Sequence, residues 1–297
     1  MLEPLAALEA ESRRIDGALE ELVERELAGC SSAVAELVGH AVLAPGKRVR
    51  PLLVVAAYEA GGGSDTGVVD LACSVELVHA YSLIHDDLPC MDDDLLRRGR
   101  PTAHVLFGVG PAILGGASLM PLAIQTVWQG SARLGLDESR ARALTAELAA
   151  ASGGAGMVGG QLLDLRAEGR ETSPAQLERI HRGKTARLIA ASAVMGAMAA
   201  GLDPAGLTRF RRFGGRLGLA FQVIDDILDM TGTTREMGKT GGRDAALGKA
   251  TYPSVLGIEA AERRGRELAS LARLELQGLE GAEALHALTD FVVDRRH

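Results

Sequence analysis

Residues 71–94 read Leu-Ala-Cys-Ser-Val-Glu-Leu-Val-His-Ala-Tyr-Ser-Leu-Ile-His-Asp-Asp-Leu-Pro-Cys-Met-Asp-Asp-Asp. The first fourteen residues form an apolar, core-like run of helical character. The remainder packs five aspartates around Pro89. Proline disfavours helix at this point, so the chain is expected to bend and return Asp92 towards Asp86. Carboxylates this close repel and raise one another's pKa unless cations lie between them. An apolar helix has no structural reason to end this way. Hard divalent cations, magnesium above all, suit such oxygen ligands and often bridge to phosphates.

A second acidic group, Asp225-Asp226-Ile227-Leu228-Asp229, interrupts another apolar helical pattern, Leu207–Met230. Asp225 and Asp229 are four apart and share a helical face, with Asp226 beside them. Between and around these landmarks the period is helical almost throughout. Leu5–Leu27, Leu52–Tyr58, Ala141–Ala151 and Pro174–Ala200 all read as helix. AGGGSDTG (60–67) and Thr231–Lys249 read as loops. Thr172-Ser173-Pro174 and Asp203-Pro204 look like helix starts. No alternating strand pattern and no linker stand out. The expectation is one all-α domain over residues 1–297, a helical bundle with a central cavity.

Composition agrees. Aromatics are 3% of the 297 residues, and Ala, Leu and Gly dominate, which favours close-packed helices. A net charge of −7 argues against a nucleic-acid partner. Cys30, Cys73 and Cys90 form no Cys-x-x-Cys pair, so neither a disulfide framework nor a zinc site is expected, and a cytoplasmic location is. The acidic N-terminus has no signal-peptide pattern. Val105–Trp128 carries no charge, but glycines and prolines interrupt it. It is expected to be buried core, not a membrane span.

Basic residues gather in short motifs: Gly46-Lys47-Arg48-Val49-Arg50, Arg97-Arg98, Gly183-Lys184-Thr185, Gly238-Lys239 and Gly248-Lys249. Arginine grips phosphate oxygens in pairs, lysine acts as a point charge, and glycine lets backbone approach an anion. Gly-Lys-Thr lacks the rest of a nucleotide-binding P-loop. His79 lies about two helical turns before Asp86.

Six stretches together resemble the trans-prenyltransferase, or polyprenyl synthetase, family, on the side of its bacterial farnesyl diphosphate synthases. They are GKRVRP (46–51), ELVHAYSLIHDDLPCMDDDLLRRGRPTAH (76–104), GMVGGQLLDL (156–165), IHRGKTARLI (180–189), FGGRLGLAFQVIDDILD (213–229) and GKTGGRDAALGKATYPSVLG (238–257). The resemblance implies head-to-tail condensation of isopentenyl diphosphate with an allylic diphosphate, giving mainly farnesyl diphosphate. Geranyl or geranylgeranyl diphosphate, or a catalytically weak regulatory subunit, are the alternatives. It implies three magnesium ions with bound diphosphate, manganese serving as a substitute. Asp86 and Asp92 would hold two ions, supported by Asp87, and Asp225 a third, assisted by Asp226 and Asp229. Arg97, Lys184, Thr185, Gln222 and Lys239 would hold the allylic substrate. Lys47, Arg50, His79 and Arg98, with Gly46 and Arg48, would hold isopentenyl diphosphate. Lys249 stands at the loop edge. Gln161 and Asp164 would line the cavity, Asp164 orienting a cation. A homodimer is implied.

Tyr81, five residues before Asp86, lies about 7.5 Å down the helix and is the expected floor that limits product length. The chain departs from the family at Val109 and Ala117, where acidic residues are common, and at Pro121, which is expected to kink its helix. A terpene cyclase is disfavoured by the scarcity of aromatics for lining a cation pocket.

Overall fold

The computed structural model describes residues 2–231 and 248–294. Its helices are α1 Leu2–Leu27, α2 Ser32–Val42, α3 Val49–Ala60, α4 Val68–Asp86, α5 Ala103–Phe107, α6 Val109–Arg133, α7 Glu138–Ser152, α8 Met157–Ala167, α9 Pro174–His181, α10 Arg187–Ala199, α11 Pro204–Thr231, α12 Tyr252–Leu256, α13 Ile258–Glu275 and α14 Glu283–Val293. The expected all-α fold is what forms. Among the described residues, strand is confined to a hairpin of two residue pairs, β1 Leu96–Arg97 and β2 Arg100–Pro101.

Three helices are apolar nearly all round, and these occupy the centre. They are α3, α4 and α10, with Leu53, Leu71, Leu77 and Ile189 fully excluded from water. α10 packs between α3 and α11, α6 lies along α4, and α13 covers α11. Burying each large aliphatic side chain contributes about 1.5–3 kcal/mol. The expected start signals operate. Ser173 caps α9 in a reciprocal box with Gln176, and Asp203 accepts from the Gly206 amide at 2.8 Å before α11. The three cysteines are free thiols.

One expectation for α6 is corrected: the helix is not wholly core. Ala112, Leu119, Ala123 and Val127 form a fully buried stripe, but Val109, Ile113 and Leu114 on the other side are exposed, as are Val105 and Leu106 of α5. A helix at the edge of a bundle has only one neighbouring face to bury, however apolar its sequence. α4 and α6 are each long and apolar enough to cross a membrane by length and composition, and α4 is instead largely consumed by the core. Pro121 lies inside α6, which continues to Arg133. Pro121 and Ala117, whose carbonyl loses the missing amide, both lie on the exposed side, where water can replace the lost hydrogen bond.

Candidate active site

α4, α8, α11 and the turn between α9 and α10 enclose a cavity of about 530 Å³. The two acidic groups reach it differently. α4 stops at Asp86, and the chain after Pro89 turns back until the Asp92 amide donates to the Asp86 carbonyl at 2.8 Å. The bend inferred from Pro89 thus returns Asp92 beside Asp86. Asp86 lines the cavity, and burial raises its pKa, with Asp92 raising it further against the pull of Lys184. Asp92 also lies 2.8 Å from Lys249 Nζ. Asp87 turns away and pairs with Arg97 at 2.5 Å, and Asp94 takes the same guanidinium at 2.9 Å. Burial lifts the Asp87 carboxyl to about 6 despite that partner.

On α11 the helix separates its acids. Asp225 lines the cavity. Asp226 is buried with both oxygens engaged. Oδ1 accepts from Gln222 Nε2 and Oδ2 from the Tyr252 amide, each at 2.8 Å, with His181 Nε2 at 3.4 Å. Asp229 is buried too, off the cavity wall. Asp226 therefore stands off the cavity that Asp225 lines, because adjacent residues on a helix diverge by roughly 100°, whereas Asp229 keeps the face of Asp225 one turn further along α11.

The cations assemble from four elements. Arg50, His79 and Arg98 share one part of the wall. Burial keeps His79 well below its ordinary pKa, and the neighbouring Arg50 and Arg98 add to the effect. Arg98 sits at the hairpin tip with φ 54° and donates to the Ala44 carbonyl at 3.3 Å. Gly46 makes room for it, since a Cβ there would stand 2.5 Å from Arg98 Nη1. Lys47 is exposed, its Nζ 6.0 Å from the Phe291 ring centre. Arg48 does not reach the cavity. It is buried, 2.7 Å from Asp16 and 2.7 Å from buried Glu76, and it also donates to the Ala44 carbonyl at 3.0 Å. It braces the loop that carries Lys47 and the start of α3, where Arg50 lies.

Lys184 and Thr185 belong to a π-helical turn, Arg182–Ala186, between α9 and α10. Such turns shift the register of a helix and are frequent at functional sites. Gly160 of α8 touches this turn so closely that a Cβ would lie 2.0 Å from the Lys184 amide. Lys184 Nζ is 2.5 Å from Asp164, the orienting role expected of that residue. Burial opposes the charge on Lys184, but Asp86, Asp164 and Asp92 outweigh it and hold its pKa above the usual ammonium value. Thr185 Oγ1 donates to Gln222 Oε1 at 2.6 Å. Gln161 lines the same cavity, and neither atom of its buried amide has a partner among the described residues. Lys239 lies outside the described residues.

Below the charged rim the wall is apolar: Tyr81, Met157, Val158, Leu162, Leu165 and Phe221. Tyr81 packs edge-on against His85 with ring centres 4.6 Å apart. Apart from Tyr81, the sequence reading did not single these out. Their signal was present in helical spacing, since Val158, Leu162 and Leu165 follow the face of Gln161 and Phe221 stands four before Asp225. His181 and Tyr252 carried no comparable signal.

The donor set fits magnesium. No three acidic, histidine or cysteine side chains among the described residues form a closed cage. Magnesium requires none, since it keeps waters and takes phosphate oxygens as ligands alongside one or two carboxylates. Asp86 and Asp225 face one hollow, and the unmatched Gln161 amide adds hydrogen-bonding capacity there.

A two-cluster acidic cavity inside an all-α bundle defines a class, and the comparisons agree with it. The sequence pattern of the polyprenyl synthetase family matches residues 31–286. Relatives include the Escherichia coli farnesyl diphosphate synthase, 46% identical over 89% of this chain and 90% of that protein. The chloroplastic geranylgeranyl pyrophosphate synthase of Capsicum annuum is 43% identical over 88% of this chain and 71% of that protein. A Helicobacter pylori geranyltransferase, solved with magnesium and isoprenyl diphosphate, superposes with a TM-score of 0.84 at 30% identity, over 97% of each chain. The chain belongs to the polyprenyl synthetase family and is a prenyltransferase.

Proposed function

We propose that the protein condenses isopentenyl diphosphate head to tail with dimethylallyl and then geranyl diphosphate, releasing mainly farnesyl diphosphate. The observation that carries this is one cavity with two cationic regions above a shared apolar floor. Arg50, His79 and Arg98 form one, and Lys184 with Thr185 and Gln222 the other, facing Asp86 and Asp225. A single-substrate cyclase would need only one.

Magnesium, when bound at Asp86, Asp92 and Asp225, neutralises the charge that develops on the departing diphosphate. Three ions, exchangeable for manganese, suit the number of carboxylates. Lys184 remains charged through its buried acidic partners and holds diphosphate oxygens, with Arg97 lining the same cavity. The family resemblance assigns Lys239 to the same clamp. His79, kept neutral, donates one hydrogen bond to the isopentenyl headgroup alongside Lys47, Arg50 and Arg98. The apolar wall keeps water from the allylic cation while the alkene attacks. The departing diphosphate then takes the proton.

Tyr81 supports a fifteen-carbon product, because it lines the cavity five residues before Asp86 and packs against His85. Relatives with farnesyl and geranylgeranyl names are about equally similar, so the product reading rests on this residue. The exposed apolar residues Val105, Leu106, Ile113 and Leu114 support a homodimer through α5 and α6. The net negative charge supports small-molecule partners and no nucleic acid, the breaks in the apolar run 105–128 support no stable membrane insertion, and the unpaired cysteines support a cytoplasmic location.

The test is incubation of purified protein and magnesium with labelled isopentenyl diphosphate and dimethylallyl, geranyl or farnesyl diphosphate in turn. Fifteen-carbon product is expected from the first two primers. Absence of diphosphate release from all three would favour a regulatory subunit. Tyr81→Ala is expected to shift product to twenty carbons by chromatography, and an unchanged product would remove Tyr81 as the floor.

A further inference from the structure

We propose that Asp226 is a positioning residue and not an ion ligand: it fixes the Gln222 amide so that the oxygen faces Thr185 and the cavity. This deepens the prenyl-transfer reading and rests on it. Asp226 and Gln222 are neighbours one turn apart on α11, and Gln222 Nε2 donates to Asp226 Oδ1 at 2.8 Å. The other oxygen accepts from the Tyr252 amide at 2.8 Å and lies 3.4 Å from His181 Nε2. His181 and Tyr252 stack with ring centres 5.3 Å apart, closing the back of the carboxylate. Asp226 is 3% exposed and does not line the cavity. An ion could reach it only by displacing these partners.

The direction of the amide follows from donor and acceptor count. A carboxylate accepts only, so the amide nitrogen must face Asp226. Gln222 Oε1 is then turned the opposite way, where the Thr185 hydroxyl donates to it at 2.6 Å. Gln222 and Thr185 both line the cavity. Oxygen dipoles fixed beside carbons that become positive stabilise the transition state without reorganising. A flipped amide would present N–H groups to the same place.

Asp226→Asn tests this. Its amide nitrogen would face Gln222 and reverse it, while its oxygen keeps the Tyr252 amide. The expected result is a kcat loss of about 10–100-fold, with KM for isopentenyl diphosphate and half-saturating magnesium unchanged. In EDTA, without substrate, the Gln222 side-chain amide resonance shifts from its wild-type position. That resonance is assigned by its absence in Gln222→Glu. The double variant Asp226→Asn/Gln222→Glu places an acceptor opposite the new donor and is expected to recover about tenfold in kcat. If Asp226→Asn does not fold, Gln222→Met leaves the buried carboxylate intact and should show the same kcat loss. A raised magnesium requirement with normal kcat at saturation, an unmoved Gln222 resonance, or wild-type kcat in Gln222→Met would overturn the proposal. Wild-type protein run alongside separates the readings. Its failure to turn over would defeat prenyl transfer, whereas the metal-free resonance reports the hydrogen-bond network alone.

Discussion

The two acidic segments have similar composition and opposite construction. Residues 86–94 leave their helix and are gathered by distant partners: Arg97 takes Asp87 and Asp94, and Lys249 takes Asp92. Residues 225–229 stay in helix, and the screw of α11 alone sends Asp225 to the cavity and Asp226 inward. A bent segment can converge carboxylates but needs external support to hold them. A straight helix supports itself but divides its acids between faces. The first cluster should therefore be sensitive to remote changes that leave the second intact.

The largest expected effect lies in the frame behind the first cluster. Arg48→Met would leave Glu76 of α4 buried without its partner, and removing one member of a buried ion pair costs about 3–5 kcal/mol. The half-exposed Asp16 contact adds little to that. Urea unfolding should show the loss, and an unchanged midpoint would mean that α4 is not braced there.

Next come the carboxylates themselves. Asp86→Ala and Asp225→Ala are each expected to lower kcat/KM by about 10²–10³-fold. Thermal stability should hold or rise slightly in Asp86→Ala, because burial and Asp92 already disfavour that charge. Steady-state assays at saturating magnesium, with melting curves, check both. If only one substitution matters, the two segments do not share a substrate.

Gly160→Ala sharpens the comparison without touching an acid. The added methyl would displace the backbone of Lys184, which faces Asp86 across the cavity. Misplacement by about 1 Å can reduce turnover by about 10²-fold. KM for the allylic substrate and kcat should both worsen, with folding preserved by circular dichroism.

The smallest effect is in pH dependence. His79 stays neutral in the fold, whereas the unfolded chain takes up a proton below its ordinary value of 6.5. The unfolded state then binds more protons, so the stability from this group is present above 6.5 and is lost as pH falls. The slope approaches about 1.4 kcal/mol per pH unit. Unfolding free energies of wild type and His79→Gln at two pH values, both at least about one unit below 6.5, should differ in slope by close to that amount. Equal slopes would mean that His79 takes up its proton in the fold.

The helical fold was legible in the residues alone, because the spacing of apolar side chains, the stop at Pro89 and the starts at Ser173 and Asp203 are local. The same residues point to divalent-metal chemistry, since two dense carboxylate groups in apolar helices have few other uses. Only the tertiary structure decided which acids share the cavity. Arg48 turns inward to Glu76, 28 residues away in the chain, and Asp226 is claimed by Tyr252, 26 residues on. It also decided that α6 keeps a bare apolar face, and that a π turn and a glycine-only contact set Lys184. Periodicity reports that a helix has an apolar side but not what lies against it. That depends on long-range packing, where position at the edge or centre of the bundle outweighs local preference.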